Sequence, residues 1–171
     1  MAQTLRALLE RQSRSTRRLR GKGPTAVTET LPSLTLVRRI KAQPATIYAA
    51  LTKPELMIQW WSPDAGPTLR AEADVRPGGR FNIVFRLLDG SEHNPTGVYR
   101  EIVPDEKLVF TWEWAGSPER ESLVTILLKP LDGGTEVTLI HEQLPDEAAR
   151  ESHEAGWKGF LDKLSMFMGD R

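Results

Sequence analysis

The sequence predicts an α+β domain in which a curved antiparallel sheet grips one long C-terminal helix. Three observations carry this. Short segments of alternating apolar and polar residues, divided by Gly- and Asp-rich turns, fill the stretch from Leu69 to Gln143. One long amphipathic pattern closes the chain, from Asp146 to Met168. Two short helical patterns lie between the first strand and the rest, so the order reads β-α-α-β-β-β-β-β-β-α.

The first strand is Ser33–Ile40, SLTLVRRI, where β-branched and polar residues alternate. Pro44 then sits where a first helical turn tolerates proline, and Ile47, Tyr48 and Leu51 share one helical face. Thr52-Lys53-Pro54-Glu55 has the spacing of a capping box and restarts a second helix, PELMIQWW, which ends before Pro63. Leu69–Val75 leads to the turn Pro77-Gly78-Gly79. Phe81, Ile83 and Phe85 then alternate with Asn82, Val84 and Arg86, as in a half-buried strand, and Asp89-Gly90 turns the chain. Strands follow at Thr96–Val103, Lys107–Trp114, Glu121–Lys129 and Thr135–Gln143, the last entered through Asp132-Gly133-Gly134. Gly156 and Gly159 fall inside the closing helix, each costing about 1 kcal/mol relative to alanine. Glycine there either lets the helix lie close to the sheet or leaves room for something between them.

The chain has 171 residues and no cysteine, which suits one domain and excludes disulfide scaffolds, thiolate metal sites and thiol nucleophiles. No apolar run is long enough to span a bilayer. Lysine plus arginine and aspartate plus glutamate each number 23, yet the neutral total is uneven. Residues 1–32 hold seven basic and two acidic side chains, a surplus of +5, and residues 33–171 carry the compensating −5. The chain therefore divides into a basic leader, 1–32, and an acidic domain, 33–171. The leader lacks the apolar core of a secretory signal; it reads as a disordered extension, a transit peptide or a phosphate-binding arm. The expected location is the cytoplasm, or an organelle if the leader is a transit peptide. The acidic domain is not expected to bind nucleic acid.

An ordered set of short motifs carries a resemblance. Gln59-Trp60-Trp61-Ser62-Pro63 is followed by Asp74-Val75-Arg76-Pro77-Gly78-Gly79, Gly97-Val98-Tyr99-Arg100-Glu101-Ile102 and Leu108-Val109-Phe110-Thr111-Trp112. Gly133-Gly134-Thr135-Glu136-Val137 and Gly156-Trp157 complete it. Over residues 33–168 the chain resembles the SRPBCC (START and birch-allergen-like) superfamily. Within it, the chain is similar to bacterial homologues of the C-terminal domain of the heat-shock protein 90 ATPase activator. The resemblance implies the helix-grip fold and a cavity between sheet and helix that takes lipids, sterols, polyketides or other apolar molecules.

Candidate residues follow from the aromatic pattern. Phe81, Phe85, Phe110, Trp112 and Trp114 occupy alternate positions on neighbouring strands, and Trp157 and Phe160 face them from the last helix. Trp60 and Trp61 either cover the mouth of a cavity or pack the helices onto the sheet. His141 shares a strand face with Val137 and Leu139, and His153 lies one turn before Trp157, so both point inward. Each is a wall residue, a polar anchor or a general base. His93, beside Asn94-Pro95, reads as a solvated loop residue. Glu142 faces away from His141, and no HExxH or Cys/His array exists, so neither metal nor cofactor is expected. No G-x-S-x-G or phosphate loop is present. The expected function is non-enzymatic binding of a small hydrophobic or amphipathic ligand in a cavity of roughly 300–1,000 Å³. The alternatives are a co-chaperone-like module contacting a protein or a second copy of itself, and a cyclase- or hydrolase-like enzyme using His141 or His153.

Overall fold

The computed structural model describes residues 30–169; the basic leader falls almost wholly outside them. The chain runs β1 (Leu34–Ile40), α1 (Pro44–Thr52), α2 (Pro54–Trp60), β2 (Thr68–Ala73), β3 (Arg80–Arg86), β4 (Glu92–His93), β5 (Pro95–Val103), β6 (Lys107–Trp114), β7 (Ser117–Leu131), β8 (Gly134–Glu142) and α3 (Glu147–Phe167). The α+β, helix-grip architecture expected from the sequence is the observed one. All strands join one antiparallel sheet in the order β1-β8-β7-β6-β5-β3-β2, with β4 pairing β3. First and last strands close on each other, from Leu34 opposite His141 to Ile40 opposite Thr135.

Curvature comes from irregular pairing. The register shifts between Thr68 and Arg70, between Tyr99 and Glu101, and between Trp112 and Trp114. Extra residues on one strand of a pair bend it and strengthen its twist. The period-two pattern of β3 lands as read: Phe81, Ile83 and Phe85 are buried while their neighbours are not. Trp157, Phe160, Leu161 and Leu164 bring one stripe of α3 into the same core.

Three local expectations are corrected. The capping box does not form, because the residue before a proline is driven out of the helical region. Lys53 is extended and caps α2, and the Thr52 hydroxyl donates back to the Tyr48 carbonyl at 2.7 Å. β4 is a strand beyond those the sequence predicts; it pairs β3 at Phe85 and Arg86, and just past it Asn94 Nδ2 donates to the Ile83 carbonyl at 2.6 Å. β7 begins at Ser117 rather than Glu121 and runs 15 residues.

Asp146 caps α3, its carboxylate accepting from the Ala149 N–H at 2.7 Å. Losing such a cap costs about 1 kcal/mol. Asp146→Ala is therefore expected to lower the unfolding free energy by that amount, read as a lower urea midpoint at an unchanged slope of the transition.

Candidate functional site

The site lies where α3 crosses the concave face of the sheet. A belt of rings runs from the sheet to the short helices. The Trp112 and Trp157 rings meet at 4.8 Å, Trp157 and Phe160 edge-to-face at 4.9 Å, and Phe160 meets Trp61 at 4.9 Å. Such pairs add about 0.5–1.5 kcal/mol beyond the area they bury.

Behind this belt a polar chain joins helix to sheet. The Trp157 indole N–H donates to His141 Nδ1 at 2.9 Å, and His141 Nε2 lies 2.6 Å from the Ser122 hydroxyl. That hydroxyl donates to the Trp112 carbonyl at 3.1 Å. An indole nitrogen can only donate and a carbonyl can only accept, which fixes the direction of every bond. Neutral His141 therefore carries its proton on Nε2 and gives it to Ser122. Burial, reinforced by His153, pushes the His141 pKa down to about 2.

This direction bears on catalysis. A serine nucleophile needs a histidine nitrogen free to take its proton. Here Nε2 is the donor, Nδ1 faces an indole rather than a carboxylate, and His141 is fully buried. The Ser122–His141 pair is built as a structural link, not as nucleophile and base. Among the described residues, no group of three or more His, Asp or Glu side chains is placed to hold a metal ion.

In front of the chain lies a cleft of about 170 Å³. Its walls include Trp61, Phe85, Trp112, His153, Trp157 and Phe160. The expected volume of roughly 300–1,000 Å³ is not reached, because the ring belt fills the depth of the concavity. The remaining sequence candidates lie elsewhere. Trp60 is buried, donating to the Ala50 carbonyl at 3.1 Å, and so packs α2 onto α1. Phe81 and Phe110 meet edge-to-face at 5.3 Å around a second gap of only about 10 Å³. His141 stands behind the wall, its ring 4.8 Å from that of His153.

The two helix glycines divide: Gly156 leaves room, as one reading has it, whereas Gly159 admits a close approach of the Pro63 segment rather than of the sheet. A Cβ on Gly159 would stand 2.1 Å from the Pro63 carbonyl oxygen, so the helix lies directly on that segment. A Cβ on Gly156 would meet nothing within 4 Å, and Gly156 lines the cleft. Lys163 holds the same segment by donating to the Asp64 carbonyl at 2.8 Å.

His93 is not the solvated residue expected. Its ring stacks on Phe85 at 5.5 Å, approaches Trp114 at 5.8 Å, and lines the cleft. Sequence reasoning missed it because the two-residue β4 carries no periodicity, and it missed Ser122 because only the register places that residue opposite Trp112. A hollow of about 580 Å³ lies at the other end of the β1–β8 pair, around the 131–135 turn, and has no aromatic wall.

A family model described as "Activator of Hsp90 ATPase homolog 1-like protein" matches residues 41–169. Among solved structures, a Chromobacterium violaceum protein is 27% identical, with a TM-score of 0.72, over 80% of this chain and 96% of its own. An Aeromonas hydrophila protein described as AHSA1-like shares the fold at 19% identity and a TM-score of 0.70, over 81% and 93%. A Staphylococcus aureus protein described as of unknown function does so at 22% and 0.68, over 81% and 94%. No curated protein matches the chain.

Proposed function

This chain belongs to the activator of Hsp90 ATPase homolog 1-like family, and we propose that it binds a compact apolar or amphipathic molecule without transforming it. The observation that carries this reading is the aromatic-walled cleft of about 170 Å³ beside Gly156. Apolar walls with a few polar groups are the ordinary make-up of a small-molecule site. The orientation of the Ser122–His141 pair supports the non-enzymatic part. The family description speaks of activating a chaperone's ATPase, a role that calls for a protein-binding face; the cleft's dimensions suit a small molecule instead.

Trp61, Trp112, Trp114 and Trp157 all line the cleft, so a saturable change in tryptophan fluorescence reports its occupation. Gly156→Leu should fill the space and abolish that response while leaving the unfolding midpoint at or above the parent's. A variant that still binds as the parent does would place the ligand elsewhere.

A further inference from the structure

The basic leader joins the domain close to the cleft. Thr30 is the first described residue, and the Leu144 N–H donates to the Pro32 carbonyl at 3.1 Å. Leu144 lies just before α3, whose Ser152, His153 and Gly156 line the cleft. From the first residue of α3, Glu147, to Gly156 is about 14 Å at 1.5 Å per residue. This end of the molecule is acidic. Residues 142–158 carry five carboxylates against Arg150 and Lys158. Both cations are already bound, Arg150 by Glu147 and Glu154 at 2.7 and 2.6 Å, and Lys158 by Glu154 at 3.2 Å. Glu142 and Glu151 stay exposed, with no cation on them among the described residues. The Arg120 charge that reaches His153 is balanced by its chain neighbour Glu121.

We infer that residues 4–20 dock across the mouth of this cleft in the same molecule, one leucine of Leu5, Leu8 and Leu9 entering it and the arginines meeting the acidic rim. This rests on the cleft being the ligand site proposed above, and it gives that site a competitor within the chain. Composition fits, since residues 4–20 hold six arginines against one acid, Glu10. Reach fits as well: the ten residues 21–30 span at most about 33–36 Å when extended, more than twice the distance to Gly156. Size sets the apolar part. Apolar cavities of about 150 Å³ hold one benzene, so a cleft of about 170 Å³ admits one leucine side chain but not a whole helix face. Exposed ion pairs are individually weak and screened by salt. Joined by a short connection, however, the two surfaces meet at an effective concentration of the order of mM, where weak contacts suffice. A ligand that fills the cleft displaces the leucine and releases the leader.

Acrylamide, a small neutral quencher, reads whether the cleft tryptophans are covered, and the leader adds no aromatic residue to the signal. In the full chain, quenching at low salt should be weaker than in about 1 M KCl, where the screening length falls to about 3 Å. Arg14→Glu/Arg17→Glu/Arg18→Glu and, separately, Leu5→Ser/Leu8→Ser/Leu9→Ser should each raise low-salt quenching to the high-salt level. Both sets lie outside residues 30–169, so the described domain keeps its own contacts. Adding Glu142→Arg/Glu151→Arg to the arginine-reversed chain should restore the protection, which a general loosening of the domain would not do. Toluene, titrated by calorimetry, should bind the leucine variant about three- to tenfold tighter than the parent, as when most clefts are occupied by the leader. Unchanged quenching in every variant overturns this inference, and equal toluene binding by all of them then leaves the binding cleft standing. Protection that grows with protein concentration puts the leader on a second copy and overturns docking within one molecule. Variant-dependent quenching with no toluene binding in any chain supports the docking and overturns the small-molecule reading.

Discussion

Gly159→Ala is expected to destabilise the protein by about 2 kcal/mol, while the same exchange one turn earlier, Gly156→Ala, stabilises it. Both glycines are interior to α3, where alanine is worth about 1 kcal/mol over glycine. On propensity alone the two variants would behave alike. What separates them is the neighbour: a Cβ at 159 lies 2.1 Å from the Pro63 carbonyl oxygen, and one at 156 lies in open space. Overpacking of this kind costs typically 1–3 kcal/mol and sometimes more. Relief by retreat of the Pro63 segment is resisted, since Lys163 holds the adjoining Asp64 carbonyl and the Asp64 carboxylate accepts from the N–H groups of Gly66 and Leu88. Urea midpoints of the two variants decide the matter. Equal stabilisation by both would mean that α3 does not rest on this segment.

Acidification is the second large effect. His141 is held neutral in the fold, its pKa driven from 6.5 to about 2, chiefly by burial. In the unfolded chain the same ring takes up a proton near its ordinary value. Below pH 6.5 the unfolded state thus binds more protons than the native one, and stability falls with pH. The full contribution is present above pH 6.5 and declines by about 1.4 kcal/mol per unit toward the folded value. By pH 4.5 the loss from this residue alone is about 2–3 kcal/mol. His153, also held below its ordinary range, adds to the loss in the same direction. Around His141 stand Trp157, Ser122, Trp112 and His153, none of them a carboxylate that would offset the charge. His141→Gln should be less stable at neutral pH but show a shallower dependence between pH 6.5 and 4.5. An unchanged slope would assign the acid sensitivity to other groups.

Most of the fold was legible because a sheet buried on one face writes period two into its strands and a gripped helix writes its stripe. Phe81, Ile83 and Phe85 show the first, and Trp157, Phe160 and Leu164 the second. Periodicity names the face of a residue but not its depth. Trp60 and Trp61 are neighbours in sequence, yet one is sealed against Ala50 and the other lines the cleft. His141 faces inward, as its strand neighbours Val137 and Leu139 predict, but its fixed proton depends on Trp157 and on Ser122, which enters through the β6–β7 register. Thr52 failed as a cap because the constraint from Pro54 outranks a motif match. The volume of the cleft was least legible of all, since it depends on how rings from β3, β4, β6, α3 and the segment after α2 interlock.

The pairing of β1 with β8 sets a timetable for synthesis. Leu34 waits for His141, more than a hundred residues downstream. At about 5–20 residues per second, that interval is roughly 5–20 s on the ribosome. Neighbouring strands from β5 to β8 meet through short turns and can pair as they emerge, whereas β1 closes the sheet only after β8 is made. Non-local closure of this kind slows folding. The strand made first is thus among the last to find its place, and the helix that completes the cleft is made later still.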